Sequence, residues 1–238
     1  TDYNNDGWLD IYMMRGGWYG SEGDIPNTLL MNTGKGYFED VTIKAGLTHH
    51  AGTLPSVWTD ANLDGWLDLV VANESFPGYE RGMDFYLNQK EGPFSYESTA
   101  YGLDIKSEFL KGIVAPDLNN DRYPDLYISG LNNGNHLFLN AAGNRFELQN
   151  ELARNPMKSF PCWAFDFNND GNTDLLVTQG NLSDIALLLG DGAGNFGPLK
   201  RVLSGRNATT VLAGDFNQDR KADYITANGD ANTVSVVL

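Results

Sequence analysis

Asp60, Asn62, Asp64 and Asp68 stand at positions 1, 3, 5 and 9 of a nine-residue stretch, with Gly65 at position 6. Carboxylate and amide oxygens at alternating positions of one short loop are the donors a hard cation such as Ca2+ requires. On an extended chain alternate side chains point to opposite sides, so the stretch must curl, and Gly65 permits the reversal. The spacing recurs as Asp2, Asn4, Asp6, Asp10; as Asp117, Asn119, Asp121, Asp125; as Asp166, Asn168, Asp170, Asp174; and as Asp215, Asn217, Asp219, Asp223. Successive first aspartates lie 58, 57, 49 and 49 residues apart. One such loop reads equally well as a solvated turn. Five in series, each followed by an apolar strand-like run, read as a cation-binding repeat.

The elements that must hold these loops are short strands, four to a repeat, labelled A to D. Strand A is the apolar run before each loop: 56–58, 112–115, 162–165 and 210–213. Strand B follows it: 9–13, 67–72, 125–129, 174–178 and 223–227. Strand C spans 29–32, 85–88, 137–140, 186–190 and 234–238, and ends in a recurring Leu-x-Asn or related turn. Strand D is led by an aromatic residue: 37–41, 94–97, 146–148 and Phe196. Gly-rich turns such as Gly34-Lys35-Gly36 and Gly143-Asn144 fit the hairpins between C and D. One helical turn is expected at 151–154. Position 12 of each loop is Met13, Val71, Ile128, Val177 or Thr226, never the bidentate Glu that closes an EF-hand. The expected fold is all-β, a propeller or propeller segment of about five four-stranded blades. The repeats fall at 1–46, 47–103, 104–152, 153–203 and 204–238 of one continuous domain, the first lacking strand A and the last lacking strand D. Those incomplete end blades point to a window on a longer propeller, or to self-assembly with neighbouring chains.

Composition agrees with this reading. The 238 residues carry 16 basic and 31 acidic side chains, a formal charge of -15. Three aspartates in each of five loops account for an excess of that size, and five Ca2+ ions would offset two thirds of it. With no basic stripe to meet phosphates, nucleic acid is excluded as a partner. No apolar run reaches the roughly 18 residues of a membrane span. No signal peptide is visible, and a first residue other than Met reads as a mature or trimmed segment. Cys162 is the only cysteine, so no disulfide forms within the chain, and its apolar setting reads as a buried, inert thiol.

The run D-x-N-x-D-G-x-x-D before an apolar strand resembles the FG-GAP/VCBS repeats of integrin-α-like propellers. Phe38-Glu39-Asp40-Val41-Thr42 with Ala45-Gly46-Leu47 is similar to the F-x-D-V-T-x-x-A-G-L signature of the ASPIC/UnbV group, and 96–103 is a worn copy. The resemblance implies up to five Ca2+ ions in the A–B loops. It adds a backbone carbonyl ligand at position 7: Trp8, Trp66, Tyr123, Asn172 and Lys221. It also implies that the B–C and D–A loops form a separate ligand-binding face. Position 6 departs from Gly at Arg122 and Arg220, so the third and fifth loops are expected to bind more weakly or to curl differently.

On that second set of loops, Trp18, Tyr19, Phe76, Tyr79 and Arg81 are candidates for carbohydrate or protein recognition. The competing reading is that the rings pack on one another to order long loops. His49 and His50 read as solvated, and Glu22, Asp24, Glu74 and Glu80 as loop acids without a partner. Asn73, Asn181 and Asn207 begin N-x-S/T triplets that glycosylation would use. The function expected is a non-enzymatic, Ca2+-binding adhesion or ligand-binding propeller. Sites of the extracellular class hold Ca2+ at about 10⁻⁴–10⁻³ M, which places it as secreted, periplasmic or at the cell surface. The alternatives are a subunit of a surface fibre or sheath and, less favoured for want of a paired acid and base, a Ca2+-dependent polysaccharide lyase or hydrolase.

Overall fold

The computed structural model describes residues 1–75, 78–90, 92–105, 109–131, 134–149, 159–179 and 184–238, and for Leu203 the backbone alone. The turn expected at 151–154 lies outside them. The first sheet is β1 (Ile11–Met13), β2 (Thr28–Asn32) and β3 (Phe38–Asp40). The second is β4 (Thr53–Thr59), β5 (Asp68–Asn73), β6 (Met83–Leu87) and β7 (Ser95–Tyr96). The third is β8 (Leu110–Val114), β9 (Leu126–Gly130), β10 (His136–Asn140) and β11 (Phe146–Gln149). The fourth is β12 (Ser159–Phe165), β13 (Asp174–Gln179), β14 (Asp184–Leu188) and β15 (Lys200–Leu203). The fifth is β16 (Ala208–Gly214), β17 (Asp223–Asn228) and β18 (Thr233–Val237).

The chain is thus all-β, with strands in sequential order in every sheet and antiparallel pairing throughout the recorded registers. This is the blade unit of a β-propeller or propeller segment. Among the described residues the first sheet lacks an inner strand and the fifth an outer one, as the strand pattern predicts. One expected strand sits elsewhere. Phe196 makes only an isolated bridge with Gly190, and the outer strand of the fourth sheet is β15. Phe196 closes the tight turn after Gly190, where Gly197 N–H donates to Leu189 O at 2.8 Å. The Gly197-Pro198 pair then breaks the ladder, and pairing resumes at Lys200. A 3-10 turn at Gly20–Gly23, not foreseen, lies in the loop between β1 and β2.

The second strand of each four-stranded sheet is the most buried. β5, β9 and β13 are buried at every residue, which is why they read as continuous apolar runs rather than alternating ones. Contacts divide the chain into two compact units, 1–110 with 141–146 and 111–140 with 147–238. In the first unit Leu29, Val41, Leu47, Leu69, Val71, Tyr86 and Phe94 form one core, with Trp58 packed against it. Trp58 meets Tyr12 edge-on at 5.9 Å between centroids. In the second unit one core joins Tyr127, Leu137, Cys162, Leu175 and Val177, and another joins Leu176, Ile185, Leu187, Val211 and Tyr224. Each fully buried Leu or Val side chain contributes about 1.5–3 kcal/mol.

The F-E-D-V-T segment has a local mechanical role. Asp40 Oδ1 accepts from Thr42 N–H at 3.0 Å and from its hydroxyl at 2.7 Å, and Thr42 Oγ1 accepts from Leu29 N–H at 2.9 Å. Ser98 repeats the last bond in the second sheet, accepting from Phe85 N–H at 2.8 Å. Hydroxyl residues at that position tie the end of strand D back to strand C, and Gly46 and Gly102 close the following turns at φ 77° and 74°.

Candidate metal centres

All five loops fold alike. The carboxylate at position 1 accepts from the backbone N–H groups of positions 5 and 6. In the second loop Asp60 takes Asp64 N–H at 2.9 Å and Gly65 N–H at 2.8 Å. Position 3 accepts from the N–H of position 5, as Asn62 does from Asp64 at 3.1 Å. Position 5 accepts from the N–H of position 7, as Asp64 does from Trp66 at 3.0 Å. The same bonds recur in the other loops with distances between 2.8 and 3.3 Å. Backbone N–H groups thus fold the oxygen-bearing side chains back over the curl.

Position 9 differs from the rest. Asp10, Asp68, Asp125, Asp174 and Asp223 are all buried, at 4% exposure or less. One oxygen accepts from the N–H of position 2: Tyr3, Ala61, Leu118, Phe167 and Phe216 donate at 2.8–3.2 Å. In four repeats the other oxygen accepts from the residue that ends strand C: Asn32, Asn88, Asn140 and Gly190, each at 2.8 Å. The three asparagines donate in turn to the carbonyl at position 8, Asn88 Nδ2 to Leu67 O at 3.0 Å for instance. The Asn that ends strand C in three repeats therefore pairs with the last aspartate of its loop, a connection the sequence does not display. In the fifth loop Asp223 Oδ1 is buried without a hydrogen-bond partner.

Burial raises the position-9 carboxyls: Asp68 to about 7, Asp125 to about 6, and Asp10 and Asp174 in the same direction. Backbone donors oppose the shift. The aspartates at positions 1 and 5 of the same loop reinforce it at Asp10, Asp68 and Asp125. Three carboxylates in one neighbourhood resist being charged together.

Position 6 has positive φ in every loop: Gly7 87°, Gly65 88°, Arg122 79°, Gly171 87° and Arg220 67°. The expectation that the Arg loops curl differently is corrected. The backbone bonds at positions 1 and 5 enforce the same turn, and a side chain there meets no obstacle, since a Cβ built on Gly7, Gly65 or Gly171 has nothing within 4 Å. Position 4 is also left-handed, at Asn5 54°, Leu63 57°, Asn120 60°, Asn169 58° and Gln218 64°. This second reversal was missed, although three of the five residues are Asn, the residue that tolerates it best after Gly. The asparagines also stitch loops together. Asn5 Nδ2 donates to Gly65 O at 2.9 Å, Asn169 Nδ2 to Arg220 O at 2.8 Å, and Asn120 Nδ2 to Asn172 Oδ1 at 3.1 Å.

Among the described residues no group of three or more His, Cys, Asp or Glu is close enough to hold a metal ion. The loops gather hard oxygen donors on one curl without closing a cage. Two of them have an ammonium nearby: Lys90 Nζ is 3.4 Å from Asp64, and Lys221 Nζ is 3.6 Å from Asp219.

At the other ends of the strands, the candidate ligand residues do not form one stack. Trp18 is 57% exposed and meets Phe109 edge-on at 5.5 Å, while its backbone N–H donates to Glu74 Oε2 at 2.7 Å. Glu74 is fully buried, so reading it as a loop acid without a partner is corrected. Tyr19 is 70% exposed. Arg81 lies 4.4 Å over the Tyr79 ring and 3.8 Å from Asp24. Phe76 and Asn181 lie outside the described residues. Asn73 is buried and bonded to Thr53 and Asp84, so folding hides it from glycosylation. Asn207 is part-exposed and donates to Asp230 at 3.1 Å. His49 is not simply solvated: its Nδ1 is 3.4 Å from Asp84, and its ring packs on Tyr96 at 4.2 Å. Cys162 is buried, and burial pushes its thiol up to about 12. No helix among the described residues is long and apolar enough to cross a membrane.

Compared with known proteins, the chain matches the family model described as FG-GAP-like repeat in four overlapping copies, at residues 2–71, 60–128, 117–177 and 166–226. No curated protein matches it in sequence. Among solved structures it is similar to an Agrocybe aegerita lectin that recognises non-reducing terminal N-acetylglucosamine. That likeness has 21% identity and a TM-score of 0.51, over 85% of this chain and 50% of the lectin chain. It is similar also to BBS1N in its complex with ARL6DN, at 9% identity and a TM-score of 0.54, over 96% of this chain and 64% of that one. The chain therefore spans between half and two thirds of the length of these structures, and at such identities the likeness is one of fold.

Proposed function

The chain belongs to the family of FG-GAP-like repeat proteins, and from that premise we propose that it is a Ca2+-stabilised, non-enzymatic ligand-binding protein of the extracytoplasmic space. Ca2+ would be held by positions 1, 3, 5, 7 and 9 of each loop: three carboxylates, one amide oxygen and one backbone carbonyl, all hard donors. Bound there, the ion supplies positive charge that lets neighbouring carboxylates ionise together; it drives no reaction.

The observation that carries the reading is the position-9 aspartate. A carboxylate that is buried, and further disfavoured by two aspartates of its own loop, is costly as an anion unless a cation shares the site. The five-fold repetition of the same curl supports it. At Ca2+ about ten times its Kd, each occupied site adds about 1.4 kcal/mol, and Kd values of about 10⁻⁴–10⁻³ M would leave such sites empty in cytosol. The ligand, a carbohydrate or a protein, is assigned to the B–C and D–A loops, where Trp18, Tyr19 and Arg81 are exposed at least in part. Melting in Ca2+ and in chelator tests this. A rise of several degrees with Ca2+ that saturates in the millimolar range supports it, and superimposable curves refute it.

A further inference from the structure

A polar cavity of about 500 Å3 opens in the first unit between the loop that follows β3 and the hairpin that leads into β6. Its lining includes His49, Glu80, Arg81, Asp84, Tyr96 and Asp104, with buried Met83 behind. The volume lies within the usual range for a small-molecule site, roughly 300–1,000 Å3. None of these residues belongs to a cation loop.

The polar groups are already arranged. Asp84 Oδ2 accepts from buried Asn73 at 2.9 Å, and Oδ1 faces His49 Nδ1 at 3.4 Å. Arg81 is held by its contacts with Tyr79, Asp24 and the His50 carbonyl, the last at 3.3 Å. Tyr96 is 46% exposed and braced by the His49 ring. The hydrogen bond to Asp84 shifts His49 upward, and the innermost carboxylate already has the imidazole as a partner.

We propose that this cavity binds a neutral saccharide, with Tyr96 packing against a sugar ring and Arg81, Asp84 and His49 meeting its hydroxyls. The assignment rests on the ligand-binding reading above and adds a place and a chemical class to it. Three carboxylates against one guanidinium and one imidazole disfavour an anion such as a uronate. A cationic ligand finds no unpaired buried carboxylate, because Asp84 faces His49. A hydroxyl both donates and accepts, so vicinal hydroxyls satisfy the guanidinium and the carboxylates together. An exposed ring beside such groups offers an apolar face with a polar surround.

The test is titration calorimetry of the whole chain in millimolar Ca2+ with cellobiose, maltose, lactose and chitobiose as neutral probes, digalacturonate as the anionic probe and spermidine as the cationic one. At least one neutral disaccharide is expected to bind with Kd of about 1 mM or below. Tyr96→Ala and the rim variant Glu80→Gln should each weaken it, Tyr96→Ala by about tenfold, while Tyr37→Ala, exposed and outside the cavity, leaves it unchanged. Melting of every variant in Ca2+ separates misfolding from lost contacts. Binding of digalacturonate or spermidine alone, or of no probe, overturns the assignment. So does neutral-sugar binding that survives both cavity variants. The last outcome leaves ligand binding on these loops standing, and an unaltered Ca2+-dependent melting shift leaves the cation reading standing, so the failures are distinguishable.

Discussion

Removing Ca2+ should invert the ordinary pH dependence of stability, and Asp68 sets the size of the effect. Its carboxyl is raised from 3.8 to about 7 by burial, which outweighs the two backbone N–H groups it accepts. A group whose folded pKa exceeds its unfolded one binds more protons when folded, so its stabilisation is complete below about pH 4 and is lost as pH rises through about 7. Each pH unit of displacement is worth about 1.4 kcal/mol. Integrated between pH 5 and 7.5, Asp68 alone removes about 2.5 kcal/mol. For a chain of this length that is about 5–10 °C in Tm. Asp10, Asp125 and Asp174 act in the same direction. The carboxyls lowered by hydrogen bonds, Asp40, Asp170, Asp191 and Asp219, titrate below the window and do not oppose it. His49, also raised, adds to the slope but has no reason to respond to Ca2+. The assay is calorimetric melting in chelator at pH 5 and 7.5, repeated with saturating Ca2+ and with Asp68→Asn. Chelated protein should melt higher at pH 5, Ca2+ should restore the melting point at pH 7.5, and Asp68→Asn should flatten the slope while costing about 1–3 kcal/mol through a misplaced amide donor. A chelated protein that is more stable at pH 7.5 than at pH 5 refutes the argument that buried carboxylates await a cation.

Gly65→Arg, which gives the second loop the residue found in the third and fifth, should fold normally and lose about 1–2 kcal/mol, because its cost is conformational rather than steric. Arg220→Gly should change stability by less than about 1 kcal/mol, relief of strain being offset by unfolded-chain entropy; chemical denaturation reads both. Lys90→Gln removes an ammonium 3.4 Å from Asp64 and should tighten ion binding at the second loop about fivefold, from about 1 kcal/mol of Coulomb repulsion in water; Trp66-sensitised terbium luminescence follows it. Cys162 should stay unreactive toward a disulfide reagent at pH 8 until the chain unfolds, because burial keeps the thiol protonated; the time course of colour release in native buffer against denaturant checks this.

Much of the fold is legible without coordinates because the information is local. Oxygen-bearing side chains at fixed spacing, a Gly or Arg at position 6 and an apolar run after each loop define a hairpin corner and its strand, five times over. The strand inventory follows from the same periodicity, and so do the three-stranded first and fifth sheets. Where a local signal has two explanations the pattern misleads. Phe196 looks like the start of an outer strand but closes a turn, and Arg122 looks like a reason for a different curl but adopts the common one.

What the sequence alone determined about this protein is its set of repeating corners and the donor chemistry they carry, since both depend on residues fewer than ten positions apart. Tertiary structure decided which aspartate is buried, because one partner of Asp68, Asn88, comes from the end of the neighbouring strand, 20 residues along the chain. It decided that Glu74 anchors Trp18 across 56 residues of chain, and that His49 meets Asp84 and Tyr96 around a cavity. Those contacts arise from the register of neighbouring strands and the path of long loops, which no spacing in the chain encodes.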